Sequence, residues 1–386
     1  MQRHPKTAFV WRGVAAIATV CFAAPVVAVE LAPELRLPAL EAGMPDIRRR
    51  PEEARTVTPL TRPRPELDPL GARIRSFMLW TRVDLKADYN DNVFATDGHE
   101  RSDYVAVVAP QVRLVSDWSR HALSVGADSA SARHQDFSGE NYDDWRVFTD
   151  GRLDFGLASS LSAHASVASQ HEDRASPDST PGGQLSSYRV SELQGGWLHP
   201  FGRFQLQLNS TVDGYRFDNR SAAGLPAGTL VGSDRDRTST LSEGRLRYTV
   251  WPGYGAFVRA AYNTQRYDRL APGGVSRDSD GYEAGLGLDV ELTDLIFGNG
   301  FVGYYKQNYD APGAAARGGL GFGADLYWNV TTLSTLHFQT RRSVQETIQA
   351  GSFGAVTTDA ALELEHELLR NLVLVVSIME RSPWIT

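Results

Sequence analysis

From Phe77 onward, apolar and polar residues alternate along this chain with a period of two. Between residues 77 and 89 the odd positions carry Phe, Leu, Thr, Val, Leu, Ala and Tyr. The charged residues between them are Arg82, Asp84, Lys86 and Asp88. Successive side chains of a β-strand point to opposite faces, so the pattern predicts a strand with one apolar and one charged face. The alternation recurs in segments 145–157, 282–292, 320–330 and 358–368.

The length of these segments favours a membrane protein over a soluble sandwich. They run for roughly 11 to 14 residues, whereas a soluble strand usually has about 5 or 6. A tilted strand that crosses a bilayer needs about 9 to 11 residues. After the N-terminus no apolar run is long enough for a membrane-spanning helix. The sequence therefore predicts an all-β fold, a transmembrane antiparallel up-and-down β-barrel, with the apolar face against lipid and the charged face lining a water-filled lumen.

The connections between the predicted strands alternate between short and long. The short connections are 116–120, 158–160, 199–203, 251–255, 293–299, 330–332 and 369–371. The long polar connections are 90–102, 129–144, 172–187, 218–235, 268–280, 310–317 and 342–352. Bacterial outer-membrane barrels have short periplasmic turns and long extracellular loops, so this alternation predicts the same arrangement here.

About 15 strands are predicted between Phe77 and Glu380. An odd number does not fit a closed barrel of this kind, because bacterial single-chain barrels have even numbers of strands. Such barrels commonly end in a strand whose last residue is aromatic, whereas this chain ends Pro383-Trp384-Ile385-Thr386. We therefore expect a chain that lacks its closing strands. A complete homologue would have 16–18 strands. For this shorter chain two outcomes stay open, a closed barrel or an unclosed one with two unpaired edges.

Three regions are predicted along the chain. Residues 1–28 read as a cleaved signal peptide, with Arg3, Lys6 and Arg12 before the apolar stretch 14–27 and cleavage after Ala28. A short membrane anchor is the alternative. Residues 29–72 are rich in Pro and charge, which predicts a disordered periplasmic arm that acts as a spacer or as a docking segment for a periplasmic partner. Residues 73–386 form the barrel.

Composition excludes several classes of function. The chain has 39 Lys and Arg against 46 Asp and Glu, a net charge of -7, which argues against nucleic acid as a partner because backbone binding needs a basic face. The one cysteine, Cys21, lies in the predicted signal peptide, so the mature chain would have no disulfide and no thiolate metal site.

Side chains that could perform chemistry are not grouped in any recognised motif. Histidines are scattered without metal-ligand spacing, and no G-x-S-x-G sequence is present. The run Gly318-Gly319-Leu320-Gly321-Phe322-Gly323 reads as small residues where the lumen is crowded or the barrel bends, not as a dinucleotide loop. His164 and Ser166 lie two residues apart on one face of a strand. We interpret them as ordinary lumen-facing or lipid-facing side chains of the barrel wall. We therefore predict no catalytic, metal or cofactor site, and no enzyme.

The inward-facing charges are the candidate functional residues, because they could set the field of a pore and select solutes. A purely structural role, pairing across the lumen to make it rigid, is the alternative and the favoured one for any single residue. The candidates are Arg82, Asp84, Lys86, Arg146, Asp150, Arg152, Asp154, Arg245, Arg247, Glu283, Asp289, Glu291, Asp325, Glu363 and Glu365.

Several short motifs resemble those of the Putative beta-barrel porin 2 family. They are Asp88-Tyr89-Asn90-Asp91-Asn92-Val93-Phe94, Arg101-Ser102-Asp103, Pro110, Trp118 and Glu140-Asn141-Tyr142-Asp143-Asp144. The resemblance covers roughly residues 73–381. Family members usually continue past a segment similar to Met379-Glu380-Arg381-Ser382 into further strands. The resemblance implies an outer-membrane barrel that serves the export or assembly of exopolysaccharide or capsule.

The sequence is compatible with three functions: such a porin-like barrel, a structural or adhesive surface barrel with a filled lumen, and, least favoured, a hydrolase embedded in a barrel. The expected partners are outer-membrane lipid and lipopolysaccharide, the barrel-assembly machinery, and polysaccharide or periplasmic export components. No cofactor is expected, and the expected location is the cell outer membrane.

Overall fold

The structure, a computed structural model, describes most of the predicted barrel and little of what precedes it. The described residues are 15–22, 58–62, 70–96, 99–156, 158–172, 174, 185–218, 220–221, 230–270, 274–292, 295–345 and 355–385. The rest of the predicted signal peptide, residues 1–14 and 23–28, lies outside them, as does all of the predicted arm except residues 58–62 and 70–72.

The described part consists of β-strands, with two short 3-10 turns at Ser138–Glu140 and Ser233–Arg235. The first strands are β1 (Ala15–Phe22), β2 (Ala72–Ile74), β3 (Phe77–Asn90), β4 (Asp103–Ser116), β5 (Ala122–His134), β6 (Tyr142–Phe155), β7 (Ser159–His171), β8 (Ser187–Phe201) and β9 (Phe204–Phe217). They are followed by β10 (Arg220–Ser221), β11 (Leu230–Val231), β12 (Arg237–Trp251), β13 (Tyr254–Tyr267), β14 (Ser279–Leu292), β15 (Ile296–Tyr309), β16 (Arg317–Thr331), β17 (Ser334–Gln345), β18 (Ala355–Leu369) and β19 (Leu372–Ile385). Among the helices described, none has the length and apolar character to cross a membrane.

The strands form an antiparallel up-and-down meander. Each long strand pairs with the next along the chain, and β9 pairs directly with β12 because β10 and β11 form a separate small hairpin within their loop. The predicted all-β up-and-down fold is confirmed, and the long strands match the predicted count of about 15. Together with β2 at the edge of β3, the meander has 16 strands.

The connections confirm the predicted alternation. Short turns join the strand pairs β4–β5, β6–β7, β8–β9, β12–β13, β14–β15, β16–β17 and β18–β19. Longer connections join the other pairs of neighbouring long strands. The turn between β12 and β13 is Pro252-Gly253, and Gly253 has φ 81°, a conformation that other residues rarely adopt. The short turns all lie at one end of the sheet, which is the periplasmic end in an outer-membrane barrel.

The two faces of the sheet have the opposite character to those of a soluble protein. The apolar face is exposed: Leu85 is 76% exposed, Leu286 63% and Leu193 60%. The polar face contains buried charges, with Asp150 and Glu363 each 2% exposed. Water on both faces would make this arrangement unfavourable, whereas lipid outside and a polar interior make it favourable. We call the polar face the inner wall and the apolar face the outer wall.

Aromatic side chains lie near both ends of the outer wall. At the long-loop end, Tyr89 and Tyr104 pack with ring centroids 5.1 Å apart, and each is about 60% exposed. At the short-turn end, Phe201 stacks on Phe204 at 5.6 Å, and Phe204 contacts Tyr248 at 5.0 Å. Two bands of aromatic rings at the membrane–water interfaces are typical of outer-membrane barrels.

The sheet is not closed, which is one of the two outcomes that the sequence left open. Within the described residues no register joins β19 to β2 or β3. The free edge of β19 pairs with β1, antiparallel, from Ala15↔Met379 to Phe22↔Leu372. Residues 15–22 belong to the predicted signal peptide, whose cleavage stays a prediction.

Candidate functional site

The inner wall is the candidate functional site. The structure places all fifteen predicted lumen charges on this face, because each follows the alternation of its strand. Most are paired with neighbours on adjacent strands or on the same strand. Arg82 binds Asp84 at 2.9 Å, Arg152 binds Asp154 at 3.2 Å, and Arg146 of β6 binds Asp128 of β5 at 2.9 Å. Whether these charges select solutes stays a prediction.

Asp150, on β6, is the centre of a buried polar cluster that joins four strands. Its carboxylate accepts hydrogen bonds from Arg113 of β4 at 3.0 Å and from the hydroxyl of Ser124 of β5 at 2.9 Å. Its other oxygen lies 2.7 Å from Nδ1 of His164 of β7. Ser124 and His164 are the direct cross-strand neighbours of Asp150. The cluster therefore follows from the strand register.

This cluster contains serine, histidine and aspartate without the geometry of a serine hydrolase. Ser124 donates to Asp150, whereas a hydrolase needs its serine hydroxyl on the histidine. Serine–histidine contacts occur at Ser159 with His199, 2.7 Å, and at Ser334 with His366, 2.8 Å, both near strand ends. Neither of those two imidazoles contacts a carboxylate in the described part of the chain. The described residues also contain no group of three His, Cys, Asp or Glu that could hold a metal ion.

A second cluster of charges crosses β12, β13 and β14. Asp289 of β14 binds both Arg245 and Arg247 of β12, the latter at 2.7 Å. Nearby, Arg259 of β13 bridges Glu243 at 2.8 Å and Glu283 at 3.0 Å. These side chains are partly exposed to the lumen, so water screens the pairs and each contributes little to stability.

Glycines on the inner wall accommodate the long side chains of neighbouring strands. Phe257 lies over Gly287, Phe301 over Gly323, and Glu283 over Gly321. The guanidinium of Arg259 stacks on the Phe301 ring, with its central carbon 4.1 Å from the ring centroid. The glycines at alternate positions of the run 318–323 were predicted to mark a crowded lumen. In the structure, side chains of neighbouring strands occupy the space that a Cβ would need at Gly321 and Gly323.

We expect Gly323→Ala to lower the free energy of unfolding by about 1–3 kcal/mol, because overpacking forces neighbours to move. A Cβ at this position would lie 2.5 Å from Cε1 of Phe301. The control is Gly195→Ala on the outer wall, where a Cβ would have no atom within 4 Å and the change should stay within about 0.5 kcal/mol. Urea titration in detergent micelles measures the free energy of unfolding of both variants. An equal loss of stability in the two variants would contradict this packing.

A strip of stacked rings lies on the inner wall near the short-turn end. Phe297 of β15 stacks on Tyr327 of β16 at 5.1 Å, and Tyr327 stacks on His337 of β17 at 3.8 Å. His337 is 2% exposed and its Nε2 lies 2.8 Å from Asp325. We call Phe297, Tyr327 and His337 the aromatic strip.

A recess lies beside the aromatic strip, at the same end of the inner wall. It is lined by Gln205, Gln207, Arg245, Arg247, Gly253, Asp289, Val290, Glu291, Phe297, Gly298 and Asn299. Gln205, Gln207 and Asn299 make no side-chain hydrogen bond to any described residue. The recess therefore combines uncommitted amides, two arginines fixed by one carboxylate, and the edge of the aromatic strip.

Buried contacts join the described residues of the long loops, at the end of the sheet opposite to the short turns. Asp103 accepts hydrogen bonds from the N–H groups of Asp136 at 3.1 Å and Phe137 at 3.0 Å, beyond the Tyr89–Tyr104 aromatic pair. Burial alone would raise the pKa of Asp103, but backbone N–H groups and nearby His134 lower its pKa below the ordinary value. Arg174 binds Glu140 at 2.6 Å, and Arg235 binds Glu172 at 2.6 Å.

Sequence reasoning missed several inner-wall residues. Arg113 was missed because its strand also has apolar residues inside, among them Val105 and Val115, which hides the alternation. Gln205 and Gln207 are uncharged, whereas the candidates predicted from the sequence are all charged residues. The run Gln205-Leu206-Gln207-Leu208-Asn209 alternates strictly, and that signal could have identified them.

Comparison with known proteins identifies the family. The profile of the family described as "Putative beta-barrel porin 2" matches residues 64–379. Comparison with curated protein sequences gave no match. Three solved structures are similar in fold. The alcaligin outer-membrane receptor FauA of Bordetella pertussis has TM-score 0.47 and 9% identity, over 80% of this chain and 65% of that chain.

The other two are the copper transporter OprC, with TM-score 0.43 and 10% identity over 80% of this chain and 59% of that one, and the ferric yersiniabactin uptake receptor FyuA of Yersinia pestis. FyuA has TM-score 0.38 and 13% identity over 82% of this chain and 58% of that one. This chain thus spans about three-fifths of the length of these structures. Likeness at this level says nothing about what the chain binds or transports. The family match covers most of the sequence, and the chain belongs to the Putative beta-barrel porin 2 family of outer-membrane β-barrel proteins.

Proposed function

We propose that this barrel serves the export or assembly of an exopolysaccharide or capsular polymer. The observation that carries the proposal is the recess on the inner wall. A sugar hydroxyl donates and accepts hydrogen bonds, and an amide side chain offers both a donor and an acceptor. Gln205, Gln207 and Asn299 have these groups free to bind a passing polymer.

The arginines and the aromatic strip add to this chemistry. Asp289 holds Arg245 and Arg247 in place, so their remaining N–H groups are oriented donors for hydroxyl or carboxylate oxygens of a sugar. Phe297, at the edge of the recess, offers an apolar ring face to the C–H groups of a sugar ring. A site of amides, fixed arginines and a ring suits a polyhydroxylated ligand better than a hydrophobic one.

The resemblance noted in the sequence supports the same proposal, because members of this family are often encoded with polysaccharide synthesis genes. The proposed partners follow from the location. They are outer-membrane lipid and lipopolysaccharide around the outer wall, the barrel-assembly machinery, and periplasmic export components at the short-turn end.

We expect the double variant Gln205→Leu/Gln207→Leu to reduce secreted polymer at least about fivefold in a deletion strain that carries it, because each lost hydrogen bond is worth roughly 0.5–1.5 kcal/mol. The control is Gln111→Leu, the same replacement on the inner wall of β4, outside the recess. Extracellular polymer is measured per unit of folded barrel in the outer membrane.

Normal secretion with the double variant would contradict the role of the recess. Normal secretion after deletion of the gene would contradict the proposed function as a whole. Reduced secretion in the Gln111→Leu control as well would show a general effect of altering the wall.

A surface role is the second candidate, and the loop contacts favour it. Arg235 and Glu172 are both 8% exposed and make a bidentate pair between two long loops. A buried pair of this kind holds these described parts of the two loops together, as an adhesive surface would need. Loss of attachment after Arg235→Ala, with secretion unchanged, would favour adhesion over export.

A further inference from the structure

Residues 58–62, in the arm before the barrel, form a compact turn. The N–H of Arg62 donates to the carbonyl of Thr58 at 2.9 Å, and the N–H of Thr58 donates to Oγ1 of Thr61 at 2.9 Å. Pro59 fixes one backbone angle, which lowers the entropy lost when the turn binds to a surface. We call residues 58–62 the docked turn.

The docked turn lies against the inner wall of β18 and β19. Leu60 packs on Val373 and Val375, which are each only 5% exposed. These two valines are opposite Glu367 and Glu365 in the register, so they face the lumen and not the lipid. Apolar side chains on a water-filled face gain free energy when another apolar group covers them. Leu60 supplies that cover.

Polar contacts fix the docked turn in one position. The N–H of Leu60 donates to Oε2 of Glu365 at 3.0 Å. The Arg62 guanidinium contacts Oε2 of Glu367 at 3.4 Å and the carbonyl of Thr332 at 2.5 Å. The partners are about 300 residues away along the chain. Charge complementarity and apolar contact thus act together on one surface.

The position of the docked turn is at the short-turn, periplasmic end. Thr332 lies in the turn between β16 and β17, and Val373 directly follows the turn between β18 and β19. Further along the arm, β2 pairs with β3 at the opposite edge of the sheet. The docked turn and β2 therefore attach the arm to both edges of the unclosed sheet.

We propose that the docked turn is a displaceable plug at the periplasmic mouth, and that the inner wall formed by Glu365, Glu367, Val373 and Val375 is its binding surface. While docked, it covers this surface at the end through which a solute from the periplasm would enter. Its attachment rests on short-range contacts, among them the Leu60 side chain, the Leu60 N–H and the Arg62 guanidinium, and a five-residue segment held in this way can leave and return. The proposal does not depend on which solute the barrel carries.

A reversible disulfide tests both parts of this proposal. In a Cys21→Ser background, which removes the chain's one cysteine, Leu60→Cys/Val375→Cys is expected to form a disulfide at least about tenfold faster than Leu70→Cys/Val375→Cys, because docking raises the effective concentration of the thiols. Leu70 is the matched control because it is 85% exposed. Equal rates would overturn docking.

Conductance of the same cross-linked protein in a planar bilayer tests the plug. We expect lower conductance with the disulfide intact and higher conductance after reduction, with no such change for the Leu70 control. Unchanged conductance after reduction would overturn the plug while leaving docking in place.

A charge exchange tests the ion pair. Arg62→Glu should slow the cross-linking, and adding Glu367→Arg should restore it. Failure of the restoration would assign the contact to Leu60 alone and overturn the role of Arg62.

Discussion

Replacement of Asp150 by alanine is expected to lower the free energy of unfolding by about 3–5 kcal/mol, because it removes one partner of a buried charge pair. Asp150 is 2% exposed and Arg113 7%, so the guanidinium would stay buried without its carboxylate. Ser124 and His164 would each lose a hydrogen bond as well. Urea titration of the folded barrel in lipid vesicles measures the loss.

The control for this prediction is Asp128→Ala, on the inner wall of neighbouring β5. Asp128 binds Arg146 at 2.9 Å, but both side chains are about one-third exposed. A pair so exposed contributes about 0–1 kcal/mol. If the two alanine variants lose the same stability, the interior around Asp150 is as wet as the open lumen, and the account of a buried cluster is wrong.

Leu193→Arg should destabilise the membrane-inserted barrel by about 2–4 kcal/mol, the cost of an arginine on the lipid face near the bilayer midplane. Leu193 lies near the middle of the 15-residue β8 and is 60% exposed. In a membrane, the exposed surface of Leu193 contacts lipid. A charged side chain at the same position must lose its hydration shell or extend to the membrane–water interface.

The next residue provides the matched control. Gln194 faces the lumen, where its side chain donates weakly to Thr211 at 3.4 Å. Gln194→Arg therefore places the same side chain one position along the same strand but in water. The two variants are compared by the same unfolding titration in vesicles. A larger loss from Gln194→Arg would reverse the assignment of the two faces.

The fold could be predicted largely from local pattern. Segments such as Phe77–Asn90 alternate over most of their length, so period and length predicted a membrane strand without knowledge of its neighbours. The connection 251–255 was predicted to be short, and the structure has the two-residue turn Pro252-Gly253 within it. Strand β4 shows the limit of this signal, because Val105 and Val107 place apolar side chains on its inner wall too.

The candidate site was less predictable, because it depends on register across strands. Arg113, Asp150 and His164 come from three strands, and a register shift of one residue would place each on the other face. The recess likewise joins residues of β9, β12, β14 and β15. Leu60 was not predicted to dock because the valines that it covers are about 300 residues away. Only the folded sheet brings these groups together.

The central claim is that the outer wall contacts lipid and the inner wall contacts water. Single cysteines at each of positions 208–212 of β9, in a Cys21→Ser background, test it most directly in outer-membrane vesicles treated with a water-soluble, membrane-impermeant maleimide. The inner positions Asn209 and Thr211 should react, and the outer positions Leu208, Ser210 and Val212 should be protected. Uniform reaction along the strand, or protection of Asn209 and Thr211 alone, would contradict the account.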